Sequence, residues 1–216
     1  MSIYLLSPVK KEGTISLPMI DFTLEDTQID FTDIDVLLFT SKQAVISAET
    51  LNPTWKTIPC FAIGKATAMT IESLGGIVVH QPLQFYAKAL SQDIIKQFKD
   101  KHILYLRPKV VSFDSKTFLA EAGIQLEEQI IYVTSCIEYT QKDRPRKNAI
   151  IIFTSPSTIH CFLENFEWDE SYKAVVIGEA TKEYLPKNAK YEVADTPLID
   201  SCISKSKQIL LTSNSK

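Results

Sequence analysis

The sequence predicts an α/β protein in which one parallel-sheet unit has been built twice, and three observations carry that reading. Short apolar runs alternate with helical patterns almost from end to end, which implies right-handed β-α-β units. The runs are continuous rather than alternating, as Ala149-Ile150-Ile151-Ile152-Phe153 shows. Parallel strands covered by helices on both faces read this way. Finally, two motifs recur at one offset. Phe39-Thr40-Ser41 returns as Phe153-Thr154-Ser155, and Ile63-Gly64-x-Ala66-Thr67 as Ile177-Gly178-x-Ala180-Thr181, both 114 residues on.

In chain order, the apolar runs predict strands over 3–6, 36–40, 60–63, 77–80, 103–106, 130–134, 149–154, 173–177 and 191–194. Helical patterns fall over 42–51, 66–74, 91–99, 114–122, 156–165, 179–185 and 198–205. Longer polar strands are expected over 15–24 and 126–139, leading from one repeat into the next. A third echo, Ile3-Tyr4-Leu5-Leu6 against Leu104-Tyr105-Leu106-Arg107, has an offset of 101. The shortfall corresponds to a helix over 114–122, closed by Gly123, that the first copy lacks. Only Val9-Lys10-Lys11-Glu12-Gly13 stands there. A parallel pair normally takes a longer crossover, so this corner is expected to pair differently.

The charged tracts at 23–34 and 136–148 read as linkers, and they imply that the chain crosses twice between units. One domain is then expected over 35–135, and the other combines 1–22 with 149–216.

Composition narrows the function. The apolar runs are too short to span a bilayer, and no leader is recognised, so a cytoplasmic protein without a membrane partner is expected. A formal charge of −3 argues against a nucleic-acid binder and leaves anionic ligands to be held by local groups. Cys60, Cys136, Cys161 and Cys202 are widely spaced without C-x-x-C, so free thiols and no metal site are expected. No glycine-rich nucleotide loop, nucleophile elbow or H-E-x-x-H motif is present. Trp55 and Trp168 point to nothing specific, and His160, inside a helix beside Cys161, reads as a packing residue.

Ligands of open parallel sheets bind beyond the carboxyl ends of the strands, where both repeated motifs lie. Ser41 and Ser155 are good helix N-caps, and Pro156 suits a first helical turn. Gly64 and Gly178 are expected to permit sharp strand-to-helix turns, with Thr67 and Thr181 following. Each motif offers free N–H groups, a positive dipole end and a hydroxyl, and two such ends per domain across a cleft would hold a polyanion. Ordinary capping is the plainer alternative for any single motif. Tyr132, which interrupts the aliphatic strand Ile130-Ile131-x-Val133, is either a site residue or a buried tyrosine that only hydrogen-bonds.

Taken together, D-x-L-L-F-T-S at 35–41, A-I-G-x-A-T-A at 62–68, L-Y-L-R at 104–107, I-Y-V-T at 131–134, F-T-S-P-S at 153–157, K-A-V-V-I-G-x-A-T at 173–181 and A-D-T-P at 194–197 resemble the uroporphyrinogen-III synthase family. The resemblance implies two flavodoxin-like domains joined by a two-stranded connection. It also implies an enzyme of haem biosynthesis that closes hydroxymethylbilane to uroporphyrinogen III with inversion of ring D and loss of water, needing no cofactor. The family's active-site tyrosine falls on Tyr132, its cleft hydroxyls on Ser41, Thr67, Ser155, Ser157 and Thr181, and a cleft lysine on Lys173. Backbone N–H groups at Lys65, Ala66 and Thr67 and at Glu179, Ala180 and Thr181 are the implied carboxylate holders. A monomer acting on a small-molecule substrate is expected, with the preceding pathway enzyme as the contact to consider. The rival reading is a non-catalytic two-domain binder of small anions. This chain departs from the family's pattern in the missing crossover helix and in Ala180-Thr181, where the family often has a Thr-Thr pair.

Overall fold

The computed structural model describes residues 1–84 and 86–214; Phe85, and the Ser215 and Lys216 that end the expected 149–216 segment, lie outside the described residues. The chain divides into two compact units, Met1–Asp21 with Ser135–Lys216, and Phe22–Thr134. Among the described residues no helix is long and apolar enough to cross a membrane.

The unit formed by Phe22–Thr134 has a core of parallel strands: β4 (Val36–Phe39), β5 (Pro59–Ala62), β6 (Ile77–His80), β7 (Ile103–Pro108) and β8 (Leu126–Cys136), preceded by β3 (Ile20–Leu24). They lie in the order β3-β8-β7-β4-β5-β6. All four residues of β4 are buried, because helices cover both faces. Leu37 and Phe39 pack with Ala44, Val45 and Ala48 of α1 (Lys42–Leu51) and Ile71 of α2 (Lys65–Ser73). Val36 and Leu38 pack on the other side with Leu90 and Ile94 of α3 (Ala87–Gln97) and Leu119 of α4 (Ser115–Ala120). The sequence expectation began α3 at Ser91; that serine is instead buried inside a helix that starts four residues earlier without a side-chain cap.

The second unit repeats the plan with β1 (Ile3–Leu5), β2 (Ile15–Ser16), β9 (Ile150–Phe153), β10 (Lys173–Val176) and β11 (Lys190–Val193), in the order β11-β10-β9-β1-β2. Its helices are α5 (Pro156–Asn165), α6 (Glu179–Lys182) and α7 (Ile199–Asn214). The offset of 114 holds at the level of ladder register: Leu37 opposes Cys60, and Ile151 opposes Ala174. The third echo shifts by one residue. Val36 opposes Ile103 and Ile150 opposes Ile3, so the ladders match Ile3 to Ile103, an offset of 100 rather than 101.

The corner without a crossover helix is a correction. β1 and β2 do pair in parallel, Tyr4 with Ile15, despite the short link. The reason lies in α7, which was expected over 198–205 but runs to Asn214. Its Ile209 packs with Ile3 and Leu5, and the Lys207 stem reaches the Cα side of Gly13, where an added Cβ would lie 3.8 Å from Cε. The Lys11–Asp200 ion pair at 2.8 Å joins the loop to the same helix. The longer helix thus covers the flank that α4 covers in the other unit.

One further expectation fails, and two polar stretches are well packed. The tract expected as one strand over 15–24 breaks around Pro18, which has no N–H for a ladder, into β2 and β3. The tracts expected as linkers, 23–34 and 136–148, are packed: Glu25 N–H donates to Ile131 O at 3.1 Å, and Tyr139 N–H to Asn165 Oδ1 at 2.6 Å. Trp55, set in a polar stretch of sequence, is fully buried against Phe39 and donates to Glu49 at 3.0 Å.

Gly76 lies beneath that tryptophan, and a Cβ there would sit 2.4 Å from its ring. Overpacking of this kind costs about 1–3 kcal/mol. Gly76→Ala should lower the denaturation midpoint of the Phe22–Thr134 unit, read from Trp55 fluorescence in a Trp168→Phe background; an unchanged midpoint would show that Trp55 yields freely.

Candidate active site

In the Phe22–Thr134 unit the parallel ladders bring the ends of β4, β5 and β7 to one edge, together with Tyr132 of β8, opposite Pro108. Ser41 follows β4 and caps α1, its Oγ accepting from Ala44 N–H at 3.0 Å. The same Oγ lies 2.9 Å from Tyr132 Oη. Beside it, Thr40 Oγ1 lies 2.7 Å from Tyr105 Oη. Tyr132 is 3% exposed, and its ring meets Phe22 edge-on at 5.8 Å. Sequence reasoning singled out Tyr132 and Ser41 but passed over Tyr105 and Thr40. Tyr105 lies in the L-Y-L-R motif, but the register matches Tyr4 to Leu104, so the repeat does not single it out.

Counting protons shows what the Ser41–Tyr132 pair can do. Each hydroxyl carries one proton and can accept. Ser41 Oγ already accepts from Ala44, and the pair uses one of its two protons internally. Whichever group donates, the other proton is left to give. It stays in place at neutral pH: burial pushes the Tyr132 phenol above its usual value of 10, the Ser41 bond only partly opposing this. Burial likewise raises Tyr105 to about 12, with the Thr40 bond pulling the other way. These phenols are donors and not bases.

Gly64 caps α2, leaving Lys65, Ala66 and Thr67 in its first turn, where N–H groups have no intrahelical partner. Lys65 is exposed and Thr67 buried. In the other unit Ser155 caps α5, with its Oγ accepting from Thr158 N–H at 3.3 Å and Thr158 Oγ1 donating to Ser155 O at 2.7 Å. Ser157 is exposed in the first turn. Gly178 precedes the four-residue α6, where Glu179 and Ala180 are exposed and Thr181 is buried.

Three expectations about these residues need correction. Gly64 and Gly178 have φ of −165° and −178°, extended backbone that any residue adopts, so no sharp turn requires them. The Thr181 N–H is taken by Gly178 O at 3.1 Å, which leaves only Glu179 and Ala180 to present free donors. Lys173 begins β10 and therefore lies at the opposite edge of its sheet from Ser155 and Thr181, pairing with Glu192 at 3.5 Å. In parallel strands the first residue is always far from the ligand-binding edge, and four residues at about 3.3 Å each separate the two ends here.

The model of the uroporphyrinogen-III synthase HemD family matches residues 12–204, a span that holds every one of these residues. Among solved structures, the chain is similar to uroporphyrinogen-III synthetase from Helicobacter pylori, with 26% identity, 96% of this chain and 99% of that chain covered, and a TM-score of 0.78. A mutant uroporphyrinogen III synthase from Thermus thermophilus shares the fold at 13% identity, covering 98% of this chain and 99% of that one with a TM-score of 0.60. A search of curated protein sequences gives no significant match.

The raised phenols fix a pH dependence. Below about pH 10 tyrosines are protonated in folded and unfolded chains alike, and their contribution is fully present. Above it the unfolded chain ionises while Tyr105 resists to about 12, so stability falls through that window. Tyr105→Phe should flatten the decline in the urea midpoint between about pH 10 and 12. A decline as steep as in the parent chain would separate it from this phenol.

Proposed function

The chain belongs to the uroporphyrinogen-III synthase family, and on that premise we propose that it closes hydroxymethylbilane to uroporphyrinogen III, inverting ring D and releasing water. The observation that carries the proposal is the family match across both repeated edges, with the buried Ser41–Tyr132 hydroxyl pair at one of them.

The chemistry follows from what that pair can supply. The leaving group is a hydroxyl on the terminal carbon of a linear tetrapyrrole. Tyr132, alone or through Ser41, donates the proton that lets it depart as water, while the pyrrole nitrogen's electrons form an azafulvene. The substituted carbon of ring D attacks this carbon, and the spiro intermediate fragments and recloses with ring D reversed. Overall one C–O bond and the C–H bond at the free α-carbon of ring D are lost, while one C–C and one O–H bond are gained. The released ring proton restores the donor, with water as the other product. Because the chain closes unaided to the wrong isomer, the larger task is to hold the substrate in one fold, an orientation effect.

Eight carboxylates provide the handles. Ser41, the exposed Lys65, the N–H groups of Lys65, Ala66 and Thr67, and the Thr67 hydroxyl are the holders in one unit. Ser155, Ser157, the N–H groups of Glu179 and Ala180, and the Thr181 hydroxyl are the holders in the other. Each charge at a helix start contributes roughly 0.3–1 kcal/mol. Gly178 supports this reading: its backbone needs no glycine and a Cβ there would meet nothing within 4 Å, so the missing side chain serves close approach to the N–H groups that follow. Lys173 has no part. We infer a monomer working in the cytoplasm on this small molecule, with neither nucleic acid nor membrane as partner; the formal charge of −3 supports the first exclusion.

The central experiment incubates the protein with enzymatically generated hydroxymethylbilane and separates isomers I and III by chromatography. Isomer III is expected, and isomer I alone overturns the proposal. Tyr132→Phe should slow the reaction by roughly 10²-fold, as loss of a general acid does. Its stability should change by only about 1 kcal/mol, with isomer III retained. Turnover near that of the parent would reduce Tyr132 to a packing residue.

Thr67→Val and Thr181→Val should each raise KM, and KM should rise further with salt. Gly178→Ala should raise KM while stability stays within about 0.5 kcal/mol. Unchanged KM in all three would move the carboxylate sites elsewhere.

A further inference from the structure

Cys136 and Cys161 were expected as free thiols, yet they form a disulfide, their Cα atoms 5.2 Å apart. The end of β8 and the middle of α5 bring together residues that the sequence holds 25 positions apart. That pairing places Cys136 against one face of α5, where His160 and Glu164 stand one turn apart with Nε2 and Oε1 at 3.1 Å. His160, read from sequence as a packing residue, is 69% exposed. A sulfur of Cys136, a ring nitrogen of His160 and a carboxylate oxygen of Glu164 all lie within 4.8 Å of one another. A surface hollow of about 390 Å³, lined in part by Cys136, Glu138 and Glu164, opens beside them. None of these groups has a role in the cyclisation.

We propose that Cys136, His160 and Glu164 form a thiol-gated zinc site, closed while the disulfide to Cys161 stands and open once it is reduced. Disulfide sulfurs carry no charge and are poor ligands, whereas a thiolate, an imidazole and a carboxylate fill three positions of tetrahedral zinc and leave the fourth to water. Bonds of about 2.0–2.3 Å put ligand atoms roughly 3.3–3.8 Å apart, so closure from 4.8 Å asks for about 1 Å of movement. The exposed His160 and Glu164 side chains can supply it. In a reducing compartment the disulfide opens. The metal then restores the tie between β8 and α5.

The gating reaction balances with a trialkylphosphine as reductant. The phosphine takes up an oxygen atom from water and becomes the phosphine oxide, while the S–S bond accepts two electrons and two protons to give two thiols. Zinc then displaces the Cys136 thiol proton, while Cys161 stays a thiol. The other two cysteines do not compete well: Cys60 and Cys202 are buried, and burial pushes each thiol to about 12.

Cobalt(II) titration of the full chain, oxidised or phosphine-reduced and desalted without oxygen, tests the site. Reduced protein should develop a sulfur-to-cobalt charge-transfer band that saturates at one ion per chain and disappears on adding zinc. Oxidised protein should develop none. Cys136→Ser should lose most of the band. His160→Gln, an exposed change that leaves both cysteines in place, should weaken binding at least about tenfold. No band in the reduced protein, an equal band in the oxidised one, or binding indifferent to either substitution overturns the site.

Discussion

Parallel strands cannot pair without returning to the same end of the sheet, and that requirement organises everything else in this molecule. Each return needs a crossover, each crossover buries one sheet face, and every strand consequently ends at one edge. The ladders set Leu37 opposite Cys60 and Ile151 opposite Ala174, so Ser41 and Thr67 come to one edge of their unit, and Ser155 and Thr181 to the equivalent edge of theirs. The position of each hydroxyl is a consequence of backbone hydrogen bonding several residues upstream. Where a crossover is missing, between β1 and β2, the pairing survives because α7 lengthens to cover the exposed flank.

Most of this was legible in the sequence because the signals were periodic or repeated. Continuous apolar strands and a constant offset of 114 are properties of the chain itself, and they led to Ser41, Thr67, Ser155 and Thr181. Tyr132 stood out because a polar ring in an aliphatic strand must find a partner. Lys173 was misjudged for a reason visible in the sequence: it begins a strand whose other end carries Gly178, so the two cannot share an edge. Trp55, His160 and the cysteines were not legible. Burial of a tryptophan in a polar stretch, exposure of a helical histidine and closure of Cys136 on Cys161 all depend on which helix face meets which strand. Local composition does not encode that.

The misread glycines carry a physical lesson. A glycine at the end of a parallel strand is commonly assigned to backbone conformation, but Gly178 is extended and needs no special φ. A Cβ added there would meet nothing within 4 Å, so packing does not require the glycine either. On the proposed reading, what remains is access to the N–H groups of Glu179 and Ala180, which the absent side chain leaves uncovered. Anion binding at such an edge depends as much on what is missing as on what is present, since a bulky residue there would shield the donors without disturbing the fold.

The two copies also differ at their caps. Ser155 is satisfied by its own helix, where Thr158 supplies both a backbone N–H and a hydroxyl to a reciprocal capping arrangement. Its hydroxyl faces a closed local network and is suited to holding. Ser41 caps α1 through Ala44 alone, and its second contact is a phenol brought from 91 residues away. That contact couples the cap to a proton that burial keeps in place. A duplicated fold supplies two equivalent edges, and on the proposed mechanism a general acid is needed at only one of them. The contact between Ser41 and Tyr132 makes the two edges chemically unequal.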